Sequence, residues 1–159
     1  MADQKLYWPK KAYYRGMASD FDMPWWPVRY PNFKPSEIAA DDGSILILAE
    51  ALDALQAMRA EFGAPFIINS AYRTPEQNRR AGSKETSMHR RGHAFDIALH
   101  NGMLPGHPGF TAYDGEALEK LARKHGFNGI GRYPADYDRG LRGFLHIDMR
   151  NRTATWGCW

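Results

Sequence analysis

The chain has 159 residues, of which 43% are hydrophobic and 25% are charged. This composition argues against disorder, and the length fits one domain that can bury a core without cross-links. The single cysteine, Cys158, excludes an intrachain disulfide and a thiolate metal cluster, so nitrogen and oxygen atoms must hold any bound metal. The net charge of +3 is compatible with an anionic polymer as partner but selects none.

The N-terminal stretch MADQKLYWPKKAYY lacks the apolar run and the small-residue cleavage site of a secretory signal. No later segment approaches the roughly 18 apolar residues that a membrane-spanning helix requires. We therefore expect no membrane insertion and a protein that is cytoplasmic as synthesised.

Residues 1–36 are rich in aromatic residues and proline. The aromatic residues are Tyr7, Trp8, Tyr13, Tyr14, Phe21, Trp25, Trp26, Tyr30 and Phe33, and the prolines are Pro9, Pro24, Pro27, Pro31 and Pro35. Such a proline density disfavours regular helix, and aromatic side chains favour burial. We predict an irregular arm over 1–36 that packs on a domain formed by 37–159. The alternative, a stacking platform for sugars or bases, has less support because no periodic spacing aligns the rings.

From Ser44 the apolar residues follow a helical period that ends at Gly63 and Pro65. The stripe comprises Leu48, Leu52, Leu55, Met58 and Phe62. Next, PFIINS (65–70) is typical of a buried strand. Thr74 then predicts the N-cap of a short helix, with Gln77 closing a capping box and an end near Gly82.

Three strands and one helix are predicted beyond residue 90. HAFDIAL (93–99) alternates strictly, with Asp96 on the face opposite the large apolar residues. A loop over 101–113 and a helix from Asp114 to Gly126 follow. FNGIGRYP and GFLHIDMR then predict two more strands, the second with His146 and Asp148 on one face. This order predicts an α+β fold, with a small antiparallel β-sheet packed on helices.

His89, Asp96 and His146 form a candidate metal site. If the two alternating strands are neighbours, Asp96 and His146 share a face, and a turn at Gly92 can bring His89 to them. Two imidazoles and a carboxylate satisfy the three protein ligands of a catalytic zinc site. Spacing alone leaves open that these are structural residues. His93 falls on the apolar face and is predicted to be structural.

The remaining histidines, His100, His107 and His125, are predicted to lie on the surface. DDGS (41–44) is compatible with a calcium site or with a simple turn and cap, because it lacks the ligand spacing of an EF-hand loop.

Three ordered segments, SAYRTPEQN (70–78), SMHRRGHAFDI (87–97) and GFLHIDMR (143–150), resemble the signatures of the zinc D-Ala-D-Ala carboxypeptidase family. That family shares its fold with lysostaphin-type peptidases and the hedgehog signalling domain. The resemblance covers about residues 33–156. GIGRYP (129–134) resembles the segment that precedes the last motif in the branch of the family that includes phage endolysins. The resemblance implies one catalytic Zn²⁺ held by His89, Asp96 and His146, within a catalytic domain over 37–159.

The resemblance also implies roles for residues around the metal. Arg73 would hold a substrate carboxylate or carbonyl, and Ser87 would bind substrate or orient His89. Members place a glutamate three residues before the last histidine ligand or a histidine two residues before it, whereas Gly143 and Phe144 stand here. Asp148 remains as a catalytic candidate, either as general base or as a group that orients an imidazole.

The implied partner is bacterial peptidoglycan, with no nucleic acid, and a monomer is expected. Three functions compete: an endolysin-type endopeptidase that cuts the stem or crosslink, a D-Ala-D-Ala carboxypeptidase, and a non-catalytic zinc-stabilised binding domain. Arg73 and Asp148 favour an enzyme. The missing glutamate favours the binding domain. An endolysin would reach the wall after release at phage lysis.

Overall fold

A computed structural model describes residues 11–159 of the chain. Tyr7, Trp8 and Pro9 of the predicted arm lie outside the described residues. The rest of the arm contains strand β1 (Tyr13–Met17), a 3-10 turn (Ala18–Phe21) and helix α1 (Trp25–Arg29). The expectation that prolines prevent regular helix is wrong for α1, and β1 makes the segment more regular than the predicted irregular arm. Pro24 and Pro27 stand at the N-cap and in the first turn of α1, where backbone N–H groups have no partner within the helix.

Aromatic side chains fix this segment to the rest of the molecule. Trp26, Tyr30 and Phe33 are all buried in the core. The Trp26 indole donates a hydrogen bond to the carbonyl of Phe33 at 2.7 Å, and the Tyr30 hydroxyl donates to Asp53 at 2.6 Å. Asp53 belongs to helix α2 (Ala49–Phe62), so this hydrogen bond attaches the segment to α2.

The helix predicted from Ser44 begins five residues later. Residues Ser44–Leu48 form strand β2, which pairs antiparallel with β1. The β-branched residues Ile45 and Ile47 favour a strand, and Leu48 satisfies the helical spacing by coincidence because it is the N-cap of α2. The predicted end is confirmed, since Gly63 is the C-cap with a φ of 75°.

Five strands form the main sheet, in the order β3-β4-β6-β5-β7. Their bounds are β3 (Ile68–Ser70), β4 (Ala94–Ala98), β5 (Gly129–Tyr133), β6 (Phe144–Asp148) and β7 (Ala154–Trp156). All neighbours are antiparallel except β5 and β7. The predicted α+β fold is confirmed. The sequence did not reveal β7.

The back of the sheet is apolar and packs on α4 (Gly115–Lys124), which in turn packs on α2, and residues of all three belong to one core cluster. Its core residues are Phe95, Ile97, Ile130, Leu145 and Ile147. Asp114 caps α4 as predicted, accepting hydrogen bonds from the backbone N–H groups of Glu116 and Ala117. With its back covered, the sheet leaves its front face for polar side chains.

The predicted capping box forms only in half. Thr74 accepts a hydrogen bond from the Gln77 N–H at the start of α3 (Pro75–Arg80). The Gln77 side chain instead accepts from the Asp41 N–H at 3.1 Å, which ties α3 to the 41–44 turn. In that turn Asp42 accepts from the Ser44 N–H at 2.9 Å, as a turn and cap would.

The histidines outside the predicted site behave differently from one another. His107 is exposed as predicted, and His125 is half-buried. His100 is buried, so its surface prediction is wrong. The 101–113 loop folds back to form a bridge between His100 and Ala112, and the Phe110 ring lies 6.3 Å from the His100 ring. Across residues 11–159, no helix is long and apolar enough to cross a membrane.

Candidate metal centre

Asp96 and His146 lie directly opposite each other on neighbouring strands. β4 and β6 pair antiparallel, with Asp96 aligned with His146. Opposed residues of an antiparallel pair project to the same face, so both side chains reach the front of the sheet. The condition for this convergence, that the two strands are neighbours, is met.

His89 reaches the same point from the segment before β4. Gly92 has a φ of 72°, the left-handed conformation that turns the chain into β4. A Cβ atom at Gly92 would lie 2.1 Å from the carbonyl oxygen of Leu46, so no side chain fits there. The Gly92 carbonyl also accepts a hydrogen bond from the Leu48 N–H at 3.0 Å, which fixes the turn against β2.

The three side chains converge with the spacing of metal ligands. His89 Nε2 lies 3.1 Å from Asp96 Oδ1, and His146 Nδ1 lies 2.9 Å from the same oxygen. Each residue is buried, and one ligand atom from each lies within 4.8 Å of the others. Ligands of a tetrahedral zinc are about 3.4 Å apart for bonds of about 2.1 Å. The cluster therefore needs only small adjustments to hold such an ion.

The hydrogen bonds of the two ring nitrogens that point away from Asp96 show which nitrogens remain for a metal. His89 Nδ1 lies 2.7 Å from the Ala71 carbonyl oxygen, and His146 Nε2 lies 2.7 Å from Asp148 Oδ2. Both partners only accept hydrogen bonds, so these two nitrogens carry the protons. When both rings are neutral, as metal-bound imidazoles are, the other nitrogens aim lone pairs at the Asp96 carboxylate; when the rings are protonated, the same nitrogens donate to it. Converging lone pairs around one point are the arrangement that a cation satisfies, and the residues present fit zinc.

Electrostatics keep Asp96 ionised. Burial alone would raise the pKa of Asp96, but hydrogen bonds and positive charge from His146 and His89 outweigh burial and hold it well below its usual range. Burial alone would lower the pKa of His146. Hydrogen bonds and negative charge from Asp148 and Asp96 outweigh burial, so the net shift of this pKa is upward.

Asp148 lies two residues beyond His146 on the same face of β6, but it does not line the cleft. Its side chain is fully buried and accepts two hydrogen bonds from the Arg150 guanidinium, at 2.8 and 2.6 Å. Burial raises the pKa of Asp148, but Arg150 and His146 outweigh it and hold the pKa far below its usual range. Gly129 makes room, since a Cβ there would lie 2.1 Å from Asp148 Oδ1.

Arg73 lies in the floor of the cleft with only 13% of its side chain exposed. It donates to Ser70 Oγ and Ser83 Oγ, both at 2.9 Å, and to Asp96 Oδ2 at 3.4 Å. The guanidinium is thus held beside the ligand carboxylate and faces the cleft. Arg73 therefore lines the cleft directly beside Asp96.

Ser87 lies at the turn before His89. Its Oγ accepts a hydrogen bond from the His89 backbone N–H at 3.3 Å, and its own N–H donates to the Lys84 carbonyl at 2.9 Å. Ser87 also lines the cleft. These contacts fit both the turn that carries His89 and a substrate contact.

His93 links β1 to the edge of the cleft. Its Nε2 lies 2.6 Å from the Tyr13 hydroxyl, and the two rings stack at 5.8 Å between centroids. Burial, Lys11 and Arg91 lower the pKa of His93, which favours the neutral ring. A structural histidine was expected, and this contact places one wall of the cleft against β1.

An aromatic wall closes the other side of the cleft, and the sequence did not predict it. Tyr133 and Phe144 stack in parallel with centroids 4.2 Å apart. Trp156 lies 5.2 Å from the His146 ring, donates to the Tyr133 hydroxyl at 3.0 Å and stacks under Arg150. A Cβ at Gly131 would lie 2.6 Å from the Trp156 indole nitrogen. The two glycines of GIGRY were the available signal, since both leave space on the front of β5.

A buried His–Asp–His cluster at the base of an open cleft, on an α+β sheet, defines a candidate single-metal centre. Among known protein families, Peptidase M15 matches residues 31–148, nearly three quarters of the chain. The chain belongs to this family of zinc peptidases. No curated protein matches the chain.

Proposed function

We propose that this protein is a zinc-dependent endopeptidase that hydrolyses peptide bonds in the stem or crosslink of bacterial peptidoglycan. The observation that carries the proposal is the convergence of His89, Asp96 and His146 on one point at the base of a cleft. Family membership supports peptidase chemistry, and the motif resemblance supports a wall peptide as substrate. The setting we propose is that of a phage-type lysis enzyme.

In this proposal His89 Nε2, Asp96 and His146 Nδ1 hold one zinc ion. The ion would supply Lewis-acid activation of a water molecule and of the scissile carbonyl. Arg73 would bind and orient a substrate carbonyl or carboxylate through the part of its fork that faces the cleft. Ser87 would hold the turn that presents His89 and line the substrate path.

We assign Asp148 to orientation of His146 and not to proton transfer. A general base must lie within hydrogen-bond reach of the proton that it removes. Asp148 is fully buried behind the ring, and both of its oxygens bond Arg150, His146 or the Arg150 backbone. A carboxylate that does not line the cleft can still fix the tautomer and the ring orientation of a metal-binding imidazole.

A second function has support from one observation. Apart from Asp96, no carboxylate from residues 11–159 lines the cleft, and Gly143 and Phe144 occupy the positions of the family's usual bases. A zinc-stabilised domain that binds wall peptide without cutting it would show the same arrangement.

Digestion of purified sacculi, followed by mass spectrometry of the muropeptides, distinguishes these functions. Zinc-loaded protein should release shortened or uncrosslinked stem peptides, whereas Asp96→Ala should release none. Loss of a terminal D-alanine alone would indicate a carboxypeptidase. Intact muropeptides together with retention of the protein on the sacculi would indicate the binding domain.

A further inference from the structure

The cleft around the candidate metal centre is strongly basic. Its lining includes five cationic side chains but only one acidic one within the described chain, Asp96. The cations are Arg73, Lys84, Arg91, Arg150 and Arg152. Asp96 faces two histidines and Arg73, so its charge is already compensated.

The five cations divide into two groups by their partners. Arg73 pairs with Asp96, and Arg150 pairs with Asp148. No carboxylate in residues 11–159 forms an ion pair with Lys84, Arg91 or Arg152. All three are exposed. They therefore present uncompensated charge to whatever occupies the cleft.

The three cations stand on two different loops. Lys84 and Arg91 belong to the loop between α3 and β4, which also carries His89. Arg152 belongs to the loop between β6 and β7. Since β6 runs from Phe144 to Asp148, Arg152 follows the end of that strand opposite to Phe144 and its aromatic stack. An extended ligand over the metal centre would meet positive charge from both loops and aromatic surface beyond Phe144.

We propose that Lys84, Arg91 and Arg152 form an anion subsite that selects stem peptides with free carboxylates over stem peptides whose carboxylates are amidated. The proposal rests on the proposed function, since it names the substrate class of the same cleft. Stem peptides carry carboxylates on their γ-linked D-glutamate, on their diamino acid and at their C-terminus, so one extended chain offers several charges. Amidation removes these charges while keeping the shape nearly unchanged.

The expected selectivity is moderate. One exposed ion pair contributes about 0.2–1 kcal/mol, which corresponds to a factor of up to about five. Three such pairs acting on one ligand should give about tenfold in kcat/KM, expressed in KM because the charges lie away from the reacting bond. Salt should weaken the preference, since exposed charges are screened over about 8 Å at physiological ionic strength.

The test uses two synthetic stem peptides that differ only in whether the free carboxylates are amidated. Wild-type zinc-loaded protein should cleave the acidic peptide about tenfold more efficiently. The triple variant Lys84→Gln/Arg91→Gln/Arg152→Gln should lose this preference through KM and cleave the amidated peptide as the wild type does. Each single variant should show about a twofold effect on the acidic peptide, one third of the total on a logarithmic scale, and these variants replace the triple variant if it folds poorly. Lys120→Gln, an exposed lysine on α4, is the matched control and should change neither peptide.

Equal cleavage of both peptides by the wild type, or an unchanged preference in the triple variant, overturns the anion subsite and leaves the proposed function intact. If the wild type cleaves neither peptide, the proposed function fails as stated. Calorimetry with the same peptides then measures binding without turnover. A tighter Kd for the acidic peptide that the triple variant loses would still support the subsite, and equal Kd values would reject it.

Discussion

His146 is held between two carboxylates, with Nδ1 2.9 Å from Asp96 and Nε2 2.7 Å from Asp148. Asp96 lies on the cleft side and Asp148 on the buried side. Arg150 neutralises the charge of Asp148, so the buried carboxylate acts on the His146 ring through one oriented hydrogen bond. The geometry of the candidate metal centre thus depends in part on Asp148, a side chain that does not line the cleft.

The metal content follows from the three converging ligands. Purified protein should contain about one zinc per chain by elemental analysis. Each of His89→Ala, Asp96→Ala and His146→Ala should lose it, because two remaining ligands bind zinc weakly. His107→Ala, an exposed histidine, is the control and should keep full zinc. Full zinc content in any of these three variants would show that the substituted residue is not a zinc ligand.

Substitution Asp148→Asn tests the assignment of Asp148 to orientation. The variant should bind zinc roughly 10–100-fold more weakly, and its activity on wall peptide should recover as free zinc is raised. Loss of a general base instead predicts normal zinc affinity with a rate reduced by about 10²–10⁴ at every zinc concentration. A zinc titration of peptidoglycan hydrolysis separates these results.

Gly129→Ala should resemble the Asp148 variant, because its new Cβ would collide with the Asp148 carboxylate. We expect weaker zinc binding that extra zinc restores, measured in the same titration. Gly109→Ala is the matched control, since a Cβ there meets only ordinary contacts of 3.4 Å or more. Wild-type zinc affinity in Gly129→Ala would show that Asp148 can move without consequence.

Arg73→Lys tests the fork of donors beside Asp96. Lysine keeps the charge but cannot contact Ser70, Ser83 and a substrate oxygen with one planar group. We expect retained zinc with turnover of wall peptide at least about tenfold lower, the factor given by one lost contact of about 1.4 kcal/mol. Unchanged turnover would restrict Arg73 to a structural role.

Glu119 makes stability depend on pH far from the metal centre. Arg132, Trp159 and Arg123 all donate to this buried carboxylate, and with Arg132 as the main cause they lower its pKa to about 2. A depressed pKa contributes stability that is fully present above the unfolded value of about 4.5 and is lost as pH falls toward 2.

Glu119→Gln should therefore lower the free energy of unfolding at pH 7, and the difference from wild type should shrink between about pH 4.5 and 2. Urea unfolding at several pH values measures this. Glu116→Gln, an exposed acid on the same helix, is the control. A difference independent of pH would mean that the carboxylate's charge is not the source.

The convergence of Asp96 and His146 could be predicted because each lies in an alternating strand, and strand alternation fixes which face a side chain occupies. The placement of His89 required only a turn at Gly92. Trp156 could not be predicted, because its position depends on the parallel pairing of β7 with β5, which leaves no local pattern. The start of α2 was misplaced because Ile45 and Ile47 alternate while Leu48 also fits the helical period.

The proposed ligands come from two distant parts of the chain, since Asp96 and His146 are separated by 50 residues and the ring of His89 bonds a carbonyl 18 residues before it. An unfolded chain cannot offer this set to one ion. Zinc binding is therefore thermodynamically linked to folding: each tenfold excess of zinc over its Kd adds about 1.4 kcal/mol to the native state. On the proposed ligand set, a chelator would therefore lower the free energy of unfolding of this protein as well as its proposed activity.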